Sequence, residues 1–246
     1  MFPKLVASQV RVTNSSDIHG PVVAEHAISL VLALAKGLPQ IVKYQSQHHW
    51  GQQDLWRSAM HPREVAGATL GIIGLGAIGR ESVKLAKALG MRVLAVREHP
   101  ERGAEGADRV FGTAELHQLL ANSDYVLLAA PLTPGTEALF NDASFGKMRR
   151  DACFLNVSRG ALVDENALAR ALQQREIRAA ALDVFQTEPL PPDSPLWNIE
   201  NLLITPHTAA LTDKLWERHF VRISENLRRY IAGEPLLGEV DKRKGY

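Results

Sequence analysis

A glycine-rich loop limits the folds open to this chain more than any other feature. Residues 74–79 read Gly-Leu-Gly-Ala-Ile-Gly, after a short apolar run and before a segment whose apolar residues have helical spacing. A strand, a G-x-G-x-x-G loop and a helix in this order predict a dinucleotide-binding turn. Gly74 would permit the tight turn, Gly76 would let the backbone approach a pyrophosphate, and Gly79 would let the helix pack against the strand.

The start of that helix contains the groups that would hold the phosphates. Ala77 and Ile78 lie in its first turn, where N–H groups lack a partner within the helix and the helix dipole leaves a partial positive charge. A G-x-G-x-x-G pattern alone also occurs in ordinary turns, so the prediction depends on the strand and the helix on either side of it. Together these features indicate a cofactor site.

The second strand of the pattern, residues 91–96, ends at Arg97, which bears on the choice of cofactor. In dinucleotide-binding folds a carboxylate about twenty residues past the loop usually bonds the ribose 2′-hydroxyl of NAD. A guanidinium cannot accept those hydrogen bonds, but it can clamp a 2′-phosphate. We therefore expect a preference for NADP(H), with NAD(H) possible. Glu98 is the rival acceptor, and the alternative interpretation of Arg97 is an exposed loop arginine.

From residue 69 onward, apolar runs alternate with helical patterns, which predicts an α/β fold with a doubly wound parallel sheet. The predicted strands are 69–74, 91–96, 109–111, 124–129, 152–157, 178–183 and 202–205. The predicted helices of this region are 78–89, 113–121, 142–148 and 164–174. In such sheets ligands bind beyond the carboxyl ends of the strands, so the residues that follow each strand are candidate site residues.

The two ends of the chain do not follow this alternation. Residues 23–36 predict a helix that is apolar almost all round, which needs cover from the sheet and from a partner subunit. Residues 45–53 are polar and aromatic and predict a long connection. Residues 213–232 predict an amphipathic helix that would expose apolar surface and favour oligomerisation.

Composition excludes several classes of function. The 246 residues include 28 basic and 27 acidic side chains, a formal net charge of +1, so there is no electrostatic case for binding nucleic acid or an anionic membrane. The single cysteine, Cys153, lies in an apolar run and favours a reducing, cytoplasmic compartment. No signal-peptide profile and no Cys/His cluster with metal-ligand spacing is present, so we expect no metal.

Three segments at strand ends each carry one ionisable side chain: Arg159, Glu188 and His207. An arginine can hold a substrate carboxylate bidentately and polarise a carbonyl group. A histidine can exchange a proton with a hydroxyl group, and a glutamate beside it would orient the imidazole and stabilise its protonated form. Taken singly, each residue has a structural alternative, as a core histidine, a capping arginine or a surface-turn glutamate. Taken together at one sheet edge, they predict hydride transfer between a nicotinamide and a carbonyl.

At these residues the chain resembles the D-isomer-specific 2-hydroxyacid dehydrogenase family. The resemblance covers nearly the whole chain and rests on ordered motifs: residues 74–80, Pro131-Leu132-Thr133-Pro134-Gly135-Thr136, Asn156-Val157-Ser158-Arg159-Gly160, residues 183–189 and Thr205-Pro206-His207, with Val23-Ala24-Glu25-His26, residues 240–242 and Gly245-Tyr246.

The resemblance implies roles for these positions. It implies that Arg159 binds substrate, that His207 is the acid/base, and that Glu188 pairs with His207. It further implies that a group of residues lines the cofactor, with Asp183 at the nicotinamide carboxamide: Pro131, Thr136, Val157, Ser158 and Asp183. The helix at 23–36 would help to form a homodimer. Arg97 resembles the NADPH-using glyoxylate and hydroxypyruvate reductases, which implies a small 2-keto or 2-hydroxy acid as substrate.

The chain departs from the family in one respect. Members carry a flavodoxin-like substrate domain, and most of it is missing from this sequence. We therefore expect a dinucleotide-binding domain at 23–212, with remnants of the substrate domain at 1–22 and 213–246. This departure leaves a second hypothesis open, a dinucleotide-binding module without appreciable catalysis.

Overall fold

One parallel sheet of seven strands, in the order β3-β2-β1-β4-β5-β6-β7, organises the chain. The computed structural model describes residues 3–15 and 17–242. Every predicted strand is confirmed to within one residue at each end: β1 Thr69–Ile73, β2 Arg92–Val96, β3 Arg109–Phe111, β4 Tyr125–Leu128, β5 Cys153–Asn156, β6 Ala179–Leu182 and β7 Leu202–Ile204. The doubly wound α/β fold is therefore confirmed.

The described part of the chain has helices on both faces of this sheet and further helices near the chain ends that bury no residue. They are α1 Pro3–Val6, α2 Gly20–Lys36, α3 Leu38–Ser46, α4 Gln52–Arg57, α5 Ala77–Ala88, α6 Leu116–Ala121, α7 Asp142–Phe145, α8 Glu165–Gln173 and α9 Leu215–Ala232, with short 3₁₀ turns at Pro100–Arg102, Thr113–Glu115, Gly160–Leu162 and Pro195–Asn198. The predicted long connection at 45–53 is wrong in extent, because α3 ends at Ser46 and α4 begins at Gln52. Residues 47–51 alone connect the two helices, and the polar residues at 45, 46, 52 and 53 lie exposed on the helices.

Alternate residues of each strand pack into two separate cores. Leu70 and Ile72 of β1 pack with α2 and α5, whereas Ile73 packs on the opposite face with α6 and α8. Successive side chains of a strand point to opposite faces of the sheet. Because both faces are covered, nearly all strand residues are buried. The central strands are thereby fixed in register, which fixes the loops that follow them.

Helix α2 receives its cover from the same chain. Its residues Val23, Ala27, Val31 and Leu34 are buried in the core that includes β1 and α5. At its start, a β-carbon on Gly20 would lie 3.0 Å from the carbonyl oxygen of Ala77, the first residue of α5. The expected need for a partner subunit to cover α2 is therefore met within the chain, and dimerisation stays a prediction.

The two terminal segments contact each other. Thr13 and Glu239 form an isolated antiparallel bridge, and Arg11 donates two 2.8 Å hydrogen bonds to the Glu239 carboxylate. Helix α9 has no buried residue, and large apolar side chains such as Trp216 and Phe220 are exposed, as its amphipathic pattern predicts. Residues 1, 2, 16 and 243–246, including the Gly245-Tyr246 motif, lie outside the described residues.

None of the helices that the structure describes is by itself long and apolar enough to cross a membrane. Taken together, α2 and α3 meet that criterion by length and composition, with a bend of 67° between them.

Candidate functional site

The glycine loop lies where the sheet changes direction. Strand β1 pairs with β2 on one side and with β4 on the other, so the loop after β1 opens between two oppositely wound halves. Crevices at such points are where open α/β sheets bind ligands. Gly74 has a φ of +100°, and a β-carbon there would lie 2.7 Å from the carbonyl oxygen of Ala129. The tight turn therefore requires glycine at this position.

Gly79 and Gly76 differ in what surrounds them, and the difference fits a bound dinucleotide. A β-carbon on Gly79 would lie 2.0 Å from the Gly74 carbonyl oxygen, so α5 touches the loop through backbone alone. A β-carbon on Gly76 would have no protein atom within 4 Å. The open space above Gly76 borders the first turn of α5, with Ala77 and Ile78, where N–H groups and helix dipole favour an anion. These residues fit a pyrophosphate.

Arg97 extends the same edge of the sheet towards β3. Its backbone N–H bonds the Phe111 carbonyl at 3.2 Å, one residue beyond the Val96 carbonyl, which accepts a 2.9 Å bond from Gly74. Its guanidinium Nη1 donates to the Gly103 carbonyl at 3.1 Å. The arginine is therefore held in the loop beside the glycine turn, where the fold would place an adenosine ribose.

The loop after β4 is organised by a threonine that the sequence marked as a cofactor contact. The hydroxyl of Thr136 donates to the Pro131 carbonyl at 2.8 Å and accepts a 2.8 Å bond from the Thr133 N–H. Pro131 is exposed at the mouth of the crevice, and Thr136 is half-buried. Their contact with a cofactor stays a prediction, and the hydroxyl of Thr136 shapes the loop itself.

The loop after β5 presents Arg159 to solvent from a buried base. Ser158 is buried, and its hydroxyl donates to the Leu128 carbonyl at 3.1 Å, which ties the end of β5 to the end of β4. The Asn156 side chain donates to the Arg159 carbonyl at 3.0 Å and accepts from the Ser158 N–H at 3.0 Å. Val157 is also buried. The exposed Arg159 side chain is thus the part of this loop able to meet a substrate.

A glycine brings the Arg159 loop against the Glu188 segment. A β-carbon on Gly160 would lie 1.9 Å from the carbonyl carbon of Phe185. The two segments therefore pack backbone to backbone. The charge of Arg159 is close enough to Glu188 to lower the pKa of that carboxyl group.

Glu188 and His207 form the hydrogen-bonded pair that the sequence predicts. The Nδ1 atom of His207 lies 2.5 Å from Oε2 of Glu188, and Oε1 accepts a 2.8 Å bond from the Phe185 N–H. Burial raises the pKa of Glu188, but the hydrogen bonds from His207 and Phe185 and the charges of His207 and Arg159 outweigh it, so the pKa lies below its ordinary value. The carboxylate is therefore held ionised, and Nε2 lies on the opposite side of the ring.

Asp183 holds the loop that carries His207. The side chain of Asp183 is 1% exposed. Its Oδ1 accepts bonds from the Thr205 hydroxyl at 2.6 Å and the Thr208 N–H at 2.9 Å, and its Oδ2 accepts from the Ala209 N–H at 2.9 Å. The His207 N–H bonds the Asp183 carbonyl at 2.9 Å, and His207 adopts a left-handed φ of 53°. Asp183 thus fixes an unusual backbone at the candidate acid/base, while its nicotinamide contact stays a prediction.

Sequence reasoning missed a second histidine in this network. Nε2 of His26, on α2, lies 3.2 Å from the Thr205 hydroxyl and 3.5 Å from Oδ1 of Asp183. His26 belongs to the Val23-Ala24-Glu25-His26 motif, which was the available signal, but a contact between residues this far apart in sequence cannot be inferred from spacing. His26 therefore connects α2, which packs on α5, to the loop that carries His207.

An apolar cavity of about 510 Å³ borders the Glu188–His207 pair. Beside the pair, its walls are mostly apolar: Phe185, Pro189, Leu190, Trp197, Ile204 and Pro206. Across residues 3–15 and 17–242, no group of three His, Cys, Asp or Glu residues is placed to hold a metal ion. The site is therefore built from an arginine, a glutamate and a histidine beside a cofactor crevice.

Comparison with known sequences finds relatives among dehydrogenases and reductases. Residues 28–209 match the profile described as "D-isomer specific 2-hydroxyacid dehydrogenase, NAD binding domain". A glyoxylate reductase from Korarchaeum cryptofilum is 34% identical over 233 residues, which cover 92% of this chain and 67% of that protein. The chain spans 41% of the length of the D-3-phosphoglycerate dehydrogenase from Methanocaldococcus jannaschii, another relative that it matches at 34% identity.

Solved structures agree with this match. A D-isomer specific 2-hydroxyacid dehydrogenase from Xanthobacter autotrophicus Py2, in complex with NADPH and MES, has a TM-score of 0.84 and 36% identity, covering 99% of this chain and 98% of that chain. An NADPH-dependent glyoxylate/hydroxypyruvate reductase from Sinorhizobium meliloti, in complex with NADP and sulfate, has a TM-score of 0.85 and 29% identity, covering 98% of this chain and 74% of that chain.

Proposed function

The chain belongs to the D-isomer specific 2-hydroxyacid dehydrogenase family, and from that premise we propose that it reduces a small 2-keto acid, of the glyoxylate or hydroxypyruvate type, with NADPH. The observation that carries the proposal is the 2.5 Å hydrogen bond between Nδ1 of His207 and Glu188. It supports proton transfer because it leaves Nε2 of a glutamate-paired imidazole facing away from Glu188, at the sheet edge that also presents Arg159.

Each of the three side chains has one task in the proposed reaction. The Arg159 guanidinium holds the substrate carboxylate and places the carbonyl carbon over the crevice. The nicotinamide, when bound, supplies the hydride to that carbon. His207 donates the proton on Nε2 to the carbonyl oxygen, so that hydride and proton together give the hydroxyl group. Glu188 holds the ring and offsets the positive charge of the protonated imidazole.

The proposed preference for NADPH rests on Arg97. Its guanidinium stands at the end of β2, where a carboxylate would serve NAD, and an arginine suits a 2′-phosphate. Structural relatives in complex with NADPH and NADP support this choice. Arg97→Gln keeps a polar side chain and removes the charge. We expect it to weaken NADPH binding by about tenfold or more, about 1.4 kcal/mol, and to change NADH binding little.

The test of the whole proposal is an assay of NADPH oxidation with glyoxylate and with hydroxypyruvate, paired with titration of NADPH. We expect turnover by the wild-type chain and its loss in His207→Ala, with NADPH affinity within about twofold of wild type. Binding of NADPH without turnover of either acid would overturn the reductase proposal and select the alternative, a dinucleotide-binding module. Equal loss of binding and turnover in His207→Ala would contradict the acid/base role.

Three further parts of the proposal concern the chain as a whole. We propose a dinucleotide-binding domain at 23–212 and a second unit made of 1–22 and 213–246, which the contacts between Arg11 and Glu239 support.

We propose a homodimer, which exposed apolar side chains such as Trp50 support. Sedimentation equilibrium tests it, and a monomer at all concentrations would refute it. The buried, unpaired Cys153 supports a reducing, cytoplasmic setting.

A further inference from the structure

The loop between β2 and β3 brings to Arg97 a carboxylate that does not directly follow β2 in sequence. Oε1 of Glu105 lies 3.8 Å from Nη1 of Arg97. The Arg97 side chain is 14% exposed and the Glu105 side chain is 36% exposed, so the pair is open on the carboxylate side. The two charges share one corner of the cofactor crevice.

The backbone of this loop fixes the position of Glu105. Glu105 has a left-handed φ of 51°, and its neighbours Gly103 and Gly106 have φ values of 98° and 89°. The Gly103 carbonyl accepts the 3.1 Å bond from Nη1 of Arg97, so the guanidinium holds the loop in the turn that directs Glu105 back to it. A non-glycine residue in the left-handed region indicates a backbone held in place by such contacts.

We propose that Glu105 is a specificity-determining residue for the cofactor: its carboxylate accepts the 2′-hydroxyl hydrogen bond of NADH and opposes the 2′-phosphate of NADPH. This inference rests on the proposed function, in which Arg97 meets the 2′-phosphate. Glu105 supplies from the β2–β3 loop the acceptor that dinucleotide-binding folds usually place directly after the second strand. A 2′-phosphate brought to Arg97 must share the guanidinium with this carboxylate, and like charges at such a distance repel.

The affinities for NADPH and for NADH should therefore depend on the Glu105 side chain in opposite directions. Neutralising Glu105 removes the repulsion that NADPH meets and frees more of the Arg97 charge for the phosphate. The same change removes the charged acceptor that a ribose hydroxyl uses, because an amide oxygen accepts a weaker hydrogen bond than a carboxylate. A change that merely loosened the loop would weaken the binding of NADPH and of NADH alike.

The experiment compares Glu105→Gln with Glu98→Gln in the full chain, by titrating NADPH and NADH and following intrinsic tryptophan fluorescence. Glu98 is exposed, directly follows Arg97 and is the rival acceptor, so its variant makes the same charge change one residue away. Titration with 2′,5′-ADP and 5′-AMP isolates the ribose corner from the nicotinamide end.

For Glu105→Gln we expect NADPH and 2′,5′-ADP to bind about fivefold more tightly, about 1 kcal/mol, and NADH to bind more weakly. Glu98→Gln should leave the ratio of the two affinities within twofold. An unchanged ratio in Glu105→Gln with intact NADPH binding, or a crossover in Glu98→Gln instead, would overturn this inference alone. Failure of the wild-type chain to bind either dinucleotide would overturn the proposed function with it.

Discussion

The carboxylate of Glu188 uses one oxygen for the ring of His207 and the other for the backbone of Phe185, at 2.5 and 2.8 Å. The pair is therefore anchored to the segment that follows β6 rather than left as two exposed side chains in occasional contact. The Phe185 N–H that anchors Glu188 belongs to the backbone, so a side-chain mutation does not remove it. The charge of Glu188 can be removed by mutation, which separates its effect on His207 from that of the backbone.

Glu188→Gln removes the charge and keeps one acceptor oxygen in place of the two that bind His207 and Phe185. We expect the rate of 2-keto acid reduction at saturating substrate to fall by about 10²-fold, since general acid–base catalysis contributes about that much or more, with NADPH affinity unchanged. Steady-state kinetics and NADPH titration measure the two effects. Glu165→Gln is the control, because Glu165 binds the Gln186 N–H and does not contact His207. Equal rates in the two variants would show that the charge of Glu188 has no catalytic role.

The lowered pKa of Glu188 predicts how its contribution to stability depends on pH. A carboxyl group whose folded-state pKa lies below its unfolded value stabilises the fold above the unfolded pKa, about 4.3 for glutamate. That contribution is lost as the pH falls through the lower folded-state pKa. The difference in unfolding free energy between wild type and Glu188→Gln should therefore be largest near neutral pH and shrink towards pH 3, by urea denaturation at each pH. A difference that grows with acidification would refute the assignment.

Cys153 should be unreactive in the folded protein. It is 2% exposed at the start of β5, and burial raises the pKa of its thiol to about 12. At pH 8 only about one thiol in ten thousand is then a thiolate, the reactive form. We expect Ellman's reagent to modify the native chain only on the timescale of unfolding and to modify the guanidinium-unfolded chain at once. Rapid stoichiometric reaction of the native chain would contradict this, and Cys153→Ser gives the background.

Two alanine substitutions in the glycine loop should impair different properties, one the binding of NADPH and the other the stability of the fold. Gly76→Ala puts a methyl group into open space, so stability should stay near wild type, whereas NADPH should bind about tenfold more weakly, about 1.4 kcal/mol. Gly79→Ala forces α5 off the loop and should destabilise the fold by about 1–3 kcal/mol, the usual cost of overpacking. Thermal denaturation and NADPH titration of both variants measure the contrast. The reverse pattern would show that the dinucleotide does not approach Gly76.

The parts of this structure that sequence predicted well are those set by local periodicity. The strand from Thr69 to Ile73 is mostly apolar and is followed directly by Gly74, so its bounds, the loop and α5 follow from neighbouring residues. Helix α3 was missed although Leu38, Ile41 and Val42 have helical spacing, because the segment is short and its apolar side chains remain exposed rather than packing into the core. The bonds from Asp183 to residues 205–209, and from His26 to Thr205, join distant segments. Only the folded sheet brings such residues together, so no spacing rule predicts them.

The close backbone contacts at Gly74, Gly79 and Gly160 have a consequence for protein engineering. No side chain fits at these points, so a mutagenesis library that includes them would yield mainly displaced or unfolded sites. In the β2–β3 loop Arg97 is partly buried, whereas residues 98–106, which include Glu105, are exposed. A laboratory search for altered cofactor use should therefore draw its gains from residues 97–106, with the acid/base pair and its supporting loops left intact.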